Sequence, residues 1–562
     1  MVTRRDLLQL AAATAAIAGA GGGWSRAFAQ QRLSQADLLA FEPLGNVTLV
    51  HVTDIHAQLE PIYFREPAVN LGVGGAKGLP PHLTGRALLD AYKITPGSAL
   101  AHALTDEDFV ALAKAYGRVG GLDRIATVIK AIRAERGERV LLLDGGDTWQ
   151  NSYTSLATKG QDMVDCMALL KPDAMTAHWE FTLGEERVKQ LVDALGFPFL
   201  CQNVRESEFE DEVFKASETF ERGGVKIAVI GQALPYTPIA NPRWMIPHWT
   251  FGIREKELQA EVEKVRGEGA ELVVLLSHNG FDVDRKLAGR VKGIDVILTG
   301  HTHDALPEPV RVGNTLLIAS GSHGKFVSRL DLDVRDGKVK DVRYKLIPVF
   351  AEAIAPDAEM AAAIAKHRAP HKAMLAEEVG RTETTLYRRD NFHGTLDDVI
   401  CDALLAERDA EIALSPGFRW GATLLPGQPI TRDDVYNATA ITYPAAYRMT
   451  MSGARLKDVL EDVADNIFNP DPYLQQGGDM VRVGGLAYTI DIGKPIGSRI
   501  GDLKLVRSGA AIVPDKDYVV AGWASVNEGT EGPPIWDVVF AHLARRKTVA
   551  PSGSGNVKII GA

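Results

Sequence analysis

The residues best suited to chemistry come in pairs and small clusters: Asp54 with His56, Asp144 with Asp147, His278 with Asn279, and His301 with His303. In an extended segment, residues i and i+2 point the same way. Asp54/His56 and His301/His303 can therefore each grip one cation from a single stretch of backbone. Mixed imidazole and carboxylate donors suit Mn, Fe or Zn better than Ca or Mg. Six or seven such donors are most economically used by two cations about 3.5–4 Å apart that share a carboxylate, an arrangement that activates water for hydrolysis.

Each cluster needs an element to position it, and each follows a short apolar run. Residues 47–52 end at Asp54, 140–144 at Asp147, 272–277 at His278 and 296–298 at His301. A further run lies at 226–230, and amphipathic stretches at 123–136 and 254–266 alternate with the runs. Fully apolar strands separated by helices predict an α/β fold with much buried sheet. Open α/β sheets bind ligands at the carboxyl ends of their strands, so the clusters are expected to converge. Gly146 and Gly300, just before Asp147 and His301, allow close backbone approach there.

The whole chain has 562 residues, which suits two or more domains. Its 46% apolar and 24% charged residues are ordinary globular composition. A net charge of −10 and the absence of a Lys/Arg-rich run speak against a nucleic-acid partner. Cys166, Cys201 and Cys401 are too few and too scattered for a disulfide framework and read as buried thiols.

Residues 1–29 carry Arg4-Arg5, an alanine-rich run and a small-x-small end at Ala27-Phe28-Ala29. This is the pattern of a twin-arginine export signal and predicts a periplasmic protein with no stable membrane insertion after cleavage. Residues 44–350 are expected to form the ligand-bearing domain, 351–378 a linking helix, and 379–562 a second, mixed α and β domain. The stretch 57–119 interrupts the first domain. It is rich in Gly and Pro, with a helical-looking patch at 105–116. Such a length is either functional or a disordered excursion. If it ordered only on partner binding, proteases would cut between 70 and 105 and the partner would suppress the cut.

The order of these motifs resembles the calcineurin-like metallophosphoesterases, and more closely the exported 5′-nucleotidase family. The shared landmarks are Gly120-Gly121-Leu122, 144–147, His278, 300–303, Gly417-Phe418-Arg419 and Gly477-Gly478. The resemblance implies a metallophosphoesterase β-sandwich flanked by helices, joined to a 5′-nucleotidase C-terminal-like substrate domain. It implies one metal held by Asp54, His56, Asp147 and His303. It implies a second held by Asp147, His278, His301 and a residue near 178, with Asp147 as the bridge. Manganese is the implied metal, although the donors also accept zinc.

The chain departs from nucleotidases at 177–182, Ala-His-Trp-Glu-Phe-Thr, where the family has Gly-Asn-His-Glu-Phe-Asp. Without a gap, His178 replaces a metal-binding Asn, and Trp179 and Thr182 replace a catalytic His–Asp dyad. In a shifted register His178 is itself the catalytic His. Trp179 also reads as simple core packing. Where nucleotidases stack the base between Phe rings, this chain has Asp479 and Ser525. The insert, with the stretch 51–61 and the run 178–182, resembles the SoxB thiosulfohydrolase branch. That implies hydrolysis of an S-thiosulfonated cysteine on the SoxYZ carrier by metal-activated water, releasing sulfate, with Arg419 and Trp179 at the reacting group. The competing readings are a periplasmic 5′-nucleotidase or sugar-nucleotide hydrolase, and a metal-stabilised adaptor without turnover. His323 and His393 are further candidates, and Asn203 is expected to fix a loop.

Overall fold

The computed structural model of the protein describes residues 33–553 and 555–560; the proposed signal 1–29 lies outside them. Two sheets pack face to face in the first half. One has five strands in the order Lys338–Pro348, Phe326–Arg335, Val47–Val52, Val140–Asp144, Ala174–Met175. The other has six, in the order Val310–Val312, Thr315–Ala319, Val296–Thr299, Leu272–Ser277, Val225–Gln232, Ser217–Arg222.

The period of two explains why these strands are apolar on both faces. Val47 and Leu49 join Leu272, Val274 and Leu276 between the sheets. Their alternates Val50 and Val52 face the cluster that contains Ile125 and Ile129 of the helix Leu122–Arg136. Val273 and Leu275 face the helices Glu255–Gly267 and Phe281–Arg290 on the other side. Val47–Val52, Val140–Asp144 and Ala174–Met175 run parallel, as do Val225–Gln232, Leu272–Ser277, Val296–Thr299 and Thr315–Ala319. All of their carboxyl ends therefore meet at one edge of the sandwich.

The second half builds three smaller sheets. The central one has the order Tyr447–Ser452, Asp517–Gly522, Ile412–Gly417, Asp479–Gly484, and the helices Thr395–Glu407 and Ile535–Arg546 pack together beside it. No helix among the described residues is long and apolar enough to cross a membrane. The three cysteines are buried and free.

One expectation needs correction. The stretch 351–378 is not one linking helix. A helix runs only over Ala358–Arg368, started by Asp357, whose side chain accepts from Met360 N, and a short one follows at Lys372–Leu375. Pro370 separates them, because proline cannot continue the ladder. Met360 and Ile364 pack into the first domain's core and Leu375 into the second's.

The stretch 57–119, open between a functional loop and a disordered excursion, is ordered. It forms the helices Gly85–Ala91, Ala99–Leu104 and Phe109–Tyr116 and buries Leu88, Leu89, Ala101 and Leu104. It is also bound to the second domain. Thr423 N donates to Tyr63 O (2.7 Å), Asn391 N to Val69 O (3.1 Å) and Leu71 N to Asn391 Oδ1 (2.6 Å). Its glycines and prolines serve turns within a folded strap.

Candidate metal centre

The sandwich edge gathers two groups of donors. Asp54, His56, Asp147 and His303 form one; Asp147, His178, His278 and His301 form the other. In each group one donor atom per residue lies within 4.8 Å of the others, and Asp147 belongs to both. All seven sequence-derived metal candidates are thus brought together. His178 falls in the second group, where it could serve as a ligand.

Backbone pairing carried past the strand ends sets these positions. Asp54 N donates to Gly146 O (2.8 Å), His56 N to Asp147 O (2.7 Å) and His278 N to Gln232 O (2.8 Å). Asp54, His56, Asp147, His301 and His303 all have positive φ, between 52° and 74°. For non-glycine residues each such conformation costs on the order of 1–3 kcal/mol and persists only where its surroundings over-determine it. Gly300 has to be glycine, because a Cβ there would sit 2.5 Å from Thr53 Oγ1 and 3.1 Å from Asp54 Oδ2.

Neighbouring acceptors fix the imidazole protons. His278 Nδ1 donates to Gly145 O (2.6 Å), His178 Nε2 to Asn241 Oδ1 (3.0 Å) and His301 Nε2 to Gln476 O (2.8 Å). In its neutral form, each ring so held offers its other nitrogen as a lone pair. His278 Nε2 lies 3.0 Å and His178 Nδ1 3.2 Å from Asp147 Oδ2. His56 Nε2 and His303 Nε2 face each other at 2.9 Å, while their Nδ1 atoms are buried without a partner.

Burial, above all, keeps His56, His301 and His303 below the ordinary imidazole value, so they are neutral. Burial also opposes charge on His278, but the Asp147 and Asp54 carboxylates outweigh it and raise that ring to about 10. Burial works against ionised Asp147 as well, yet His178 and His278 hold its carboxyl well below the usual range. Neutral His56, His301 and His303, carboxylates at the same edge and a His278 proton that a cation would displace make a donor set that fits divalent cations.

Sequence reasoning missed the groups that support this set. Glu180, fully buried, accepts from Thr148 N (2.6 Å), His178 N (2.8 Å) and Trp149 N (3.2 Å), and so ties the Asp147 turn to the His178 turn. Asn241 orients His178 from 63 residues away. Asp479, expected only as a missing ring, holds Arg419: its Oδ1 is 3.4 Å from Arg419 Nε, and Arg419 Nη2 donates to Gly478 O.

A cavity of about 280 Å³ opens onto the donors, walled by Trp179, Phe418, Arg419 and Trp420, with Ile239 and Asp462 toward its rim. Arg419 is 9% exposed, and its Nη1 is buried without a partner. The Trp179 ring lines the cavity and is also anchored in an apolar cluster. It lies edge-on to Trp420 (4.8 Å between ring centroids) and parallel to Tyr443 (6.0 Å).

The remaining candidates lie elsewhere. His323 sits behind the first group, stacked on Phe64 at 4.3 Å, and its backbone N donates to Asp54 O. His393 lies beside Asp398, outside the cavity. Ser525 accepts from Asn527 N in a turn outside the cavity. Asn203 fixes a loop through Ala233 and Gly252.

Residues 375–539 match the model of the 5′-nucleotidase C-terminal domain. The solved structure of Thermus thermophilus sulfate thiohydrolase SoxB, in complex with glycerol, is similar to this chain with a TM-score of 0.89 and 38% identity, covering 93% of this chain and 98% of that one. The 5′-nucleotidase precursor of Thermus thermophilus shares the fold, with a TM-score of 0.73 and 22% identity over 92% of this chain and 100% of that one. The snake venom 5′-nucleotidase of Naja atra is 29% identical over 317 residues, 51% of this chain and 59% of the venom enzyme, so the match spans less than two thirds of that relative. The architecture is that of a metallophosphoesterase domain joined to a 5′-nucleotidase C-terminal domain.

Proposed function

Because the chain belongs to the SoxB family, within the wider 5′-nucleotidase family, we propose that it is a periplasmic thiosulfohydrolase that releases sulfate from the S-thiosulfonated cysteine of the SoxYZ carrier. The chain is a hydrolase of this family with a metal-type donor set.

Asp54, His56, Asp147 and His303 would hold one divalent cation, and Asp147, His178, His278 and His301 the other, with manganese as the proposed metal. Bound there, the two cations would supply an acidified water and counter-charge for an oxyanion. The chain's own residues do the rest. Asn241, Gly145 O and Gln476 O keep three imidazoles in the binding tautomer. Asp479 and Gly478 O aim Arg419 so that its unpaired Nη1 faces the sulfonate oxygens. Trp179, Phe418 and Trp420 exclude water from the wall along which the sulfur chain lies.

One observation carries the choice of substrate. Apart from the donors, the titratable groups lining the cavity are Arg419, Asp479 locked onto it, and the exposed rim residue Asp462. Trp179 occupies the wall, and among the described residues that line the cavity no further general acid stands beside the donors to protonate an alkoxide leaving group. A persulfide is a much weaker base than an alkoxide and departs unprotonated. Attack on the terminal sulfur breaks its bond to the next sulfur, forms one S–O bond from water, and leaves the carrier as a persulfide.

The test is sulfate release by manganese-loaded protein from S-thiosulfonated carrier, with AMP as a parallel substrate. Sulfate without phosphate supports the proposal. Phosphate without sulfate makes this a divergent nucleotidase.

A further inference from the structure

A second, narrower cavity of about 50 Å³ lies beside the first, and the two share His301, Arg419 and Gly477 as lining residues. Its walls come from three parts of the chain: Asn70 and His82 of the strap, Asn279 and Asp282 of the first domain, Asn391 and Gln475 of the second. Outward it shares Asp282 and Gln475 with an open cleft of about 330 Å³ whose sides include Val73, Arg285, Lys286 and Pro472. Two cavities thus flank His301 of the donor set. One is wide and walled by aromatic rings. The other is narrow and polar.

The narrow route has the signature of a solvated passage. His82 Nδ1, Asn279 Oδ1, Asp282 Oδ1 and Arg285 Nη1 are buried without protein partners, as is Arg419 Nη1 at the inner end. Buried polar atoms are almost always satisfied, by water when not by protein. A water needs about 10–15 Å³ of such space, so the cavity holds several.

Its charges are arranged for an anion. Asp282 is neutralised by His82 (2.8 Å), and Asp304 faces Arg389 (3.8 Å) and accepts from Asn70 Nδ2 (3.3 Å). Lys286 pairs with Asp471 (2.5 Å) at the outer cleft. That leaves guanidinium atoms of Arg419 and Arg285 unpaired at the inner and outer ends.

We propose that sulfate leaves through this passage while the carrier's cysteine arm still fills the wider cavity. The inference rests on the thiosulfohydrolase reading. There the sulfonate is the terminal group of the substrate, so it lies deeper than the arm that delivers it. Once the sulfur–sulfur bond breaks, sulfate sits behind the persulfide-bearing arm. It must either wait for the arm to withdraw or leave by a route too narrow for a peptide. Hydrolysis consumes one water, gives sulfate and the carrier persulfide, and passes two protons to solvent, with no oxidant required.

Product inhibition distinguishes the two orders. If sulfate leaves first, it inhibits noncompetitively against S-thiosulfonated carrier; if it leaves last, it inhibits competitively. The passage predicts the noncompetitive pattern. Gln475→Phe and Asn70→Phe, which plug the route, should turn it competitive and lower kcat roughly tenfold by slowing release. Chemically quenched single-turnover cleavage should stay unchanged, showing that the site is intact. Arg285→Glu, at the outer end, should weaken inhibition by added sulfate. A competitive pattern in the unaltered protein overturns the passage, and so does an unchanged pattern and kcat in folded plug variants. If the plugs do not fold, the pattern of the unaltered protein decides. If that protein makes no sulfate at all, the functional reading has failed instead, and the passage with it.

Discussion

His301 of the first domain donates its Nε2 proton to the backbone carbonyl of Gln476 in the second, at 2.8 Å. The contact closes the two domains over the centre and leaves the other ring nitrogen of His301 for the second donor group. Gly477 is packed so closely on this ring that a Cβ would fall 2.5 Å from Nε2, at a φ of +81° that disfavours any side chain. Gly477→Ala should therefore displace His301. We expect a 10–100-fold loss of affinity at one of the two proposed metal sites, measured by calorimetric titration with manganese, and a parallel loss of turnover. Two unchanged binding constants would show that the contact does not orient a ligand.

Asn241 tests the same logic within the first domain. Asn241→Ala removes the acceptor of His178 Nε2, freeing the ring to change tautomer. Metal affinity should fall by about 10–100-fold, and Asn241→Asp, which keeps an acceptor, should restore most of it. A merely structural role would lower the Tm of both variants without this difference in binding.

Trp179 separates the substrate readings. Trp179→His places an acid candidate on the wall beside the donors and should introduce phosphatase activity toward AMP while slowing sulfate release. It should also cost on the order of 2–4 kcal/mol of stability, because the ring is 6% exposed within an aromatic cluster. Unchanged thiosulfohydrolase activity with no phosphatase gain would remove the argument from leaving-group basicity.

Asp390 gives a pH dependence remote from the donors. Its Oδ2 accepts from Ala68 N of the strap at 3.2 Å. Burial, first, and the neighbouring Asp479 raise it to about 6, against the pull of Arg482 and Arg65. The folded value lies above the unfolded one, so the folded protein binds this proton more tightly. The stabilisation is fully present below pH 4 and is lost as pH rises through about 6. Compared with Asp390→Asn, the unaltered protein should gain on the order of 2–3 kcal/mol between pH 7 and pH 4, read as a changing Tm difference. A constant difference, or one of opposite sign, would contradict the assignment.

What the sequence made legible follows from which atoms do the work. Asp54, Asp147, His278 and His301 are ligand-type residues at the ends of apolar runs, so both their chemistry and their convergence could be inferred. Asn241 and Asp479 act on partners 63 and 60 residues away, and nothing in their local spacing marks them. Gln476 acts through a backbone carbonyl, which no residue type announces. The strap stayed open between a functional loop and a disordered excursion because glycine and proline are counted as breakers. Its order comes from Leu88 and Leu89 packing into a core assembled from distant segments, and from backbone bonds to Thr423 and Asn391. The stretch 351–378 misled for the reverse reason: alanine-rich composition outweighed one Pro370.

The central claim is that water, activated between the two donor groups, attacks the terminal sulfur of an S-thiosulfonated carrier. Turnover of that carrier by manganese-loaded protein in ¹⁸O-labelled water, read by mass spectrometry, tests it most directly. The account predicts sulfate carrying one labelled oxygen, a carrier left as an unlabelled persulfide, and no labelled phosphate from AMP. Unlabelled sulfate, or labelled phosphate from AMP with no sulfate, would contradict it.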